Sequence, residues 1–549
     1  MRCYCTCKHH TMRTLRHTLL AAALLAAAPL AAQNDRGFEI AKNLEIFSSV
    51  YKQLNQSYVD DVDPGKTIKV AIDAMLSSLD PYTNYYPESD IEDVKLQLLG
   101  EYGGVGSLIM QRGDSILISE PYQGLPADEV GLKPGDLILE VNGESTRGKT
   151  TADVSSAMRG QAGTSVTLKL ERAGKVFEKT LTRREIKLPN VPYYGYVQGD
   201  YGYIKLDEFT TDAAKNVKDA FVKLRTDKPD LKGLILDLRG NGGGLMNEAV
   251  DIVGIWVPQG TLVVETKGKV ASKNMKSFTR QQPVDTKLPL AILIDNTSAS
   301  ASEIVSGALQ DLDRAVVIGQ RSFGKGLVQN ILPMPYNSQM KVTVSKYYIP
   351  SGRCIQAIDY SHRDQQGRAA RVPDSLKTAF KTKSGRTVYD GFGIEPDIEV
   401  EPDYMSNIAI ALVQKMLVFD YATEYYRSHP SLPPAADFEV SDELYADFCR
   451  FLRERNLSYD TYTEHAIKEL RKVADREKYS DAVEKQIEAM EEAMKRVKED
   501  DLVKHRSEIA DMLKAELLGR YYYDRGRIQG ALKTDKVVLR AVEELKGKK

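Results

Sequence analysis

The stretch GLILDLRGNGGG, residues 233–244, reads as a strand running straight into a glycine loop. Residues 233–238 are apolar on both alternating faces except for Asp237, the pattern of a strand buried on two sides rather than one. The same signal recurs on either side of it. GYIKL (202–206) precedes it, followed by helical spacing over 212–224. After it come a helix over 245–256, LAILID (290–295), a helix over 301–312, AVVIG (315–319) and KVTVSKYYI (341–349). Buried strands alternating with amphipathic helices predict an α/β domain with a largely parallel sheet.

Three loops follow the carboxyl ends of these strands: Arg239 to Gly244, Asn296 to Glu303, and Gln320 to Gly326. In a parallel sheet such loops share one edge, where open α/β sheets bind ligands. A glycine run, a serine cluster and Lys325 are therefore predicted to converge. A serine needs a base, and the usual one is histidine, but none occurs between Asp35 and Ser361. A Ser-His-Asp site would have to borrow His362, His429, His465 or His505. Lys325 is a physically reasonable substitute, because burial disfavours the charged amine and lowers its pKa from about 10.4. Glycine amides of 242–244 and the amide of Ala301 at a helix start suit an oxyanion hole.

Each feature also has a plainer reading. Ser300 and Glu303 form an S-x-x-E capping box, the glycine run serves as a tight turn, and a lone lysine is usually solvated. Only their combination points to chemistry. Gly319-x4-Gly324-Lys325 imitates a phosphate loop, but Gly326 stands where a Ser or Thr is required. Gly240-x-Gly242 misses the third glycine of a dinucleotide fingerprint, and no HExxH or CxxC spacing suggests a metal. No cofactor is expected.

Outside the α/β domain, apolar positions at helical spacing over 40–58 and 67–79 predict a helical region at 33–98. Short strands with glycine turns and one helix, Thr151 to Met158, predict a small β-rich module at 99–187. The α/β core occupies 188–403. Residues 404–549 hold four glycines and no proline after Pro434, and read as a helical extension of unassigned role. At the front, Leu19 to Ala32 follows Arg13 and Arg16 in the manner of a secretory signal peptide, with cleavage expected after Ala32. Met12 offers an alternative start that would exclude Cys3, Cys5 and Cys7. Cys354 and Cys449 remain, and their pairing is left open. The 549 residues carry 77 acidic and 75 basic side chains. This near-neutral balance disfavours nucleic acid as a partner.

Taken together, LDPYTNYY (79–86), EYGGVGSLI (101–109), GLKPGDLILEVNG (131–143), GLILDLRGNGGG (233–244), NTSASASEI (296–304) and SFGKGLVQ (322–329) resemble the C-terminal processing, or tail-specific, serine peptidases. The resemblance implies a crotonase/ClpP-like α/β protease core with an inserted PDZ-like domain. It also implies Ser300 as nucleophile, Lys325 as general base, Gln329 orienting the lysine, and an oxyanion hole at Gly243, Gly244 and Ala301. The implied reaction is endoproteolysis of proteins or peptides with free C-termini in the periplasm or cell envelope. Ser322 stands where many relatives have Thr. The glycine-rich segment Tyr102, Gly103, Gly104, Val105 and Gly106 is expected to act as a loop that offers amides to the substrate carboxylate. A catalytically silent PDZ scaffold is the competing reading. The sequence leaves open whether an adaptor protein or a homo-oligomer is involved.

Overall fold

In the computed structural model, which describes residues 36–90, 101–364, 366–455 and 457–547, Gly233–Asp237 is the third strand of a six-stranded sheet. The expected signal peptide, its cleavage point, Met12 and the three early cysteines lie outside the described residues. Sheet order runs Tyr193–Val197, Tyr201–Lys205, Gly233–Asp237, Leu290–Ile294, Val316–Gly319, Ile398–Glu399. Every neighbouring pair is parallel except the first. All five residues of Gly233–Asp237 and of Leu290–Ile294 are buried, as their apolar runs, interrupted only by Asp237, require.

A sheet buried on both faces needs two covers. Helices Ala213–Asp227, Met246–Val253 and Ala301–Asp311 pack against one face through Phe221, Ile252, Val305 and Leu309. The opposite face, with Tyr203, Ile235, Leu293 and Ile318, is covered by Val538, Ala541, Val542 and Leu545. These belong to the chain's last helix, Lys536–Gly547. The segment read as a helical extension of unassigned role thus supplies one layer of the core. At the seam, Tyr203 donates to Asp237 (2.7 Å), and Arg239 bonds both Asp237 and Asp535. Burial works against the Asp237 carboxylate, but Arg239 and Lys205 hold it down at about 2.

The KVTVSKYYI run does not continue the parallel sheet. It lies in Ser338–Tyr348, which pairs antiparallel with Leu327–Met334 and with Leu262–Gly268. The reason is the link: Pro335, Tyr336 and Asn337 make a tight hairpin, with φ of 56° and 52° at the last two, and a parallel crossover needs a dozen residues or more.

The β-rich module is an antiparallel sheet of Ser107–Arg112, Ser115–Pro121, Leu137–Val141, Ser165–Arg172 and Lys175–Thr182, with Glu144–Ser145 beside it. Its helix Thr151–Met158 starts at Thr150, which shares a reciprocal capping box with Asp153. The strand entering the module, Glu101–Gly104, pairs with the strand leaving it, Arg184–Lys187. Tyr102, Gly103 and Gly104 are therefore strand residues and not the expected loop. Gly103 is small because a Cβ there would meet the Gly160 carbonyl oxygen at 2.1 Å. Helix Arg506–Ala531 also touches this module, where Tyr523 donates to Asp128 (2.9 Å) and Arg527 to Glu120 (2.7 Å).

Residues up to Tyr85 form a unit of their own. It holds a helix over 36–57 and the helix Pro64–Ser77, whose Asp63 cap accepts from the Lys66 amide. The turn after it is fixed by buried Asp80, which accepts from the amides of Tyr82 and Thr83, each at 2.8 Å.

Candidate active site

The three carboxyl-end loops meet as expected. A cavity of about 400 Å³ is lined by Gly242, Gly243, Gly244, Ser300, Ala301, Lys325 and Gln329, together with residues of the antiparallel sheet. None of the described histidines lines it. His362 sits on the exposed strand Ile358–Arg363 bonded to Asp359, and His429 stacks on Tyr425.

Ser300 precedes helix Ala301–Asp311 with φ 55° and ψ −111°, a left-handed conformation that costs a non-glycine residue of order 1–3 kcal/mol. Its neighbours hold it there. Glu303 Oε2 accepts the Ser300 amide at 2.8 Å, and the Tyr347 hydroxyl lies 3.0 Å from the Ser300 carbonyl oxygen. Gly243, φ 106°, lies directly against this turn: a Cβ there would come within 2.7 Å of Ser300 Cβ and 2.8 Å of the Ala299 carbonyl oxygen. Buried Asn241 ties the two loops, its carbonyl oxygen accepting from Ala299 N (3.0 Å) and Ser302 Oγ (2.9 Å).

Glu303 does more than cap a helix. Fully buried, its carboxylate also accepts from Ser322 Oγ (2.5 Å), Gly324 N (2.8 Å) and Lys325 N (2.8 Å). Burial raises its pKa, against the pull of these hydrogen bonds. The loop that imitates a phosphate cradle in sequence thus wraps a carboxylate of the protein itself. The hydroxyl of Ser322 in turn accepts from Ile394 N at 2.6 Å. The sequence signal for Glu303 was the S-x-x-E spacing, whose cap reading hid the second role. Tyr347, 2.6 Å from the Lys325 carbonyl oxygen through its hydroxyl, was missed because its strand shows only β periodicity.

Two expected roles shift. The Gly243 amide donates to Asn241 Oδ1 at 2.9 Å, so it is spent within its own loop. Gly244 and Ala301 keep amides with no acceptor among the described residues. Gln329 lines the cavity and its side-chain NH2 donates to Thr343 Oγ1 at 3.2 Å on the neighbouring strand, while its Oε1, the atom that would accept from Lys325, makes no hydrogen bond with a described residue.

In the β-rich module, Tyr102, Val105, Ser107, Ile109, Ser155, Met158 and Arg159 line a groove between the strand Ser107–Arg112 and the helix Thr151–Met158. It encloses only about 20 Å³, with the Arg159 guanidinium 5.3 Å from the Tyr102 ring centre. The amides of Val105 and Gly106 have no acceptor among the described residues, and the buried Ser107 hydroxyl is likewise unsatisfied.

Comparison with known proteins gives three family matches: peptidase family S41 over residues 200–361, a PDZ domain over 117–172, and the C-terminal helical domain of probable PDZ-proteases over 408–545. The carboxy-terminal-processing protease of Bartonella bacilliformis is 38% identical over 58% of this chain and 73% of its own. The probable CtpA-like serine protease of Staphylococcus aureus is 34% identical over 57% of this chain and 62% of its own. Among solved structures, the photosystem II D1 C-terminal processing protease is 25% identical, covering 66% of this chain and 93% of that chain, with a TM-score of 0.36.

Proposed function

Since the chain belongs to peptidase family S41, the carboxy-terminal-processing serine proteases, and joins that fold to a PDZ domain and a C-terminal helical domain, we propose that it cuts protein tails with a Ser300/Lys325 dyad. The observation that carries the proposal is the shared cavity. Ser300 on a strained helix start, Lys325, and the unoccupied amides of Gly244 and Ala301 all face one space. The neutral Lys325 amine takes the proton from Ser300 Oγ as the oxygen attacks the scissile carbonyl. Gly244 and Ala301 stabilise the oxyanion that forms. Protonated Lys325 then returns the proton to the leaving amine, and water hydrolyses the acyl-enzyme by the same route. The core is read as crotonase/ClpP-like, and the protein as exported to the periplasm or cell envelope.

The PDZ domain is proposed to hold the free C-terminus of the substrate. The amides of Val105 and Gly106 are available for a carboxylate, and an extended tail would add beside Ser107–Arg112. With the groove nearly closed, Tyr102 and Arg159 must part to admit the last side chain. Two substrates identical except for a free or amidated C-terminus test this. The free acid should bind and be cut better, and equal treatment of both would remove carboxylate capture while leaving the dyad intact.

A further inference from the structure

Among the charged residues that line the Ser300 cavity, Lys341 stands apart. Glu208 is exposed at its margin, and Lys325 is assigned to the chemistry. Lys341 projects from Ser338–Tyr348, where its backbone pairs with Ile331. The residue is half-buried, and its ammonium makes no hydrogen bond or ion pair with any described residue. Elsewhere the buried cations are satisfied, Arg353 by Asp311, Lys514 by Glu439 and Arg520 by Glu516 as ion pairs, and Arg183 by three carbonyl oxygens and the Thr164 hydroxyl. Desolvating a charge without a partner is costly unless a ligand completes it. Burial holds the Lys341 ammonium below the usual lysine range, consistent with an amine turned into the cleft rather than out to water.

We propose that Lys341 is a specificity-determining residue that binds a carboxylate of the substrate. Resting on the proposal that the Ser300 cavity receives the peptide, this inference adds what that peptide carries. Lys341 is six positions along its strand from Tyr347, which touches the Ser300 turn, roughly 20 Å of extended chain. The carboxylate it meets is therefore away from the bond being cut. It belongs either to an Asp or Glu side chain or to the free C-terminus of a short tail.

The test measures peptide binding to the full chain carrying Ser300→Ala, so that turnover does not enter, by fluorescence anisotropy. A scanning series replaces each Gln of a neutral peptide by Glu, and each peptide is made with a free and an amidated C-terminus. One Glu position, or the free terminus, should tighten binding about tenfold. Adding Lys341→Gln should collapse a Glu-position ratio to about one and cut a terminus ratio to the share that the PDZ domain supplies, Lys341→Arg should keep it, and Lys341→Glu should remove the preference as fully as Lys341→Gln or more. A preference that follows a Glu position assigns a side chain, and one that follows the terminus assigns the chain end. Peptides that bind with no acid preference, or with one that Lys341→Gln leaves unchanged, overturn the inference alone. Peptides that fail to bind the cavity at all overturn the reading beneath it.

Discussion

Glu303 and Tyr347 grip the same two residues from opposite backbone groups. The Glu303 carboxylate accepts the amides of Ser300 and Lys325, each at 2.8 Å, and the Tyr347 hydroxyl sits 3.0 Å and 2.6 Å from their carbonyl oxygens. Ser300 and Lys325, the proposed nucleophile and base, come from different loops, yet their backbones are fixed to one another through two buried side chains. The pair has a direct catalytic consequence, since small misplacement of reacting groups is expensive.

Replacing Glu303 by Gln keeps the shape but turns an NH2 group toward donors. With at least one buried N–H or O–H left unsatisfied, stability should fall by about 1–3 kcal/mol. Peptide kcat/KM should fall about a hundredfold as the Ser300 turn relaxes. Thermal denaturation and steady-state kinetics on the same preparation check both.

Tyr347→Phe removes one hydroxyl and little else. The expected cost in stability is about 1 kcal/mol, with kcat reduced and KM nearly unchanged, because the hydroxyl meets the backbone of the dyad rather than the substrate. A rise in KM at constant kcat would show that Tyr347 binds peptide instead.

Val542→Asp tests the last helix as part of the protease core. Val542 is fully buried against the sheet, and a carboxylate there has no partner, so a loss of several kcal/mol is expected. Soluble protein with wild-type activity and melting temperature would show that the helix is dispensable.

Asp237 sets an acid limit. Its folded value of about 2 lies below the roughly 3.9 of an unfolded aspartate, so its contribution is present above about pH 4 and is lost as pH falls toward 2. Melting temperature followed between pH 2 and 5 should therefore drop less steeply in Asp237→Asn than in the parent protein, from a lower starting point at neutral pH.

The convergence of the three loops was legible because it follows from topology: buried strands such as Gly233–Asp237 and Leu290–Ile294 forced a parallel sheet, and a parallel sheet puts its carboxyl-end loops together. The carboxylate bridge was not. Glu303 obeys a local capping rule so well that nothing in one dimension marks its bonds to Ser322, Gly324 and Lys325, which depend on a loop 20 residues away folding back. The last helix was hidden for a similar reason. Its apolar stripe shows that it packs on something, but only the uncovered sheet face, with Ile235 and Leu293, says on what. The segment 102–104 misled because glycines serve close backbone approach as readily as anion loops, and at Gly103 the approach to Gly160 decides.

The central claim is that Ser300 is the nucleophile and Lys325 its base. Labelling with a serine-reactive fluorophosphonate, followed by mapping of the modified peptide, measures it most directly. The account predicts a single adduct on Ser300 in the parent protein, and its loss in Lys325→Ala and in Lys325→Arg, because an arginine cannot give up its proton at working pH. Labelling at another residue, or undiminished labelling of Ser300 in Lys325→Arg, would contradict it.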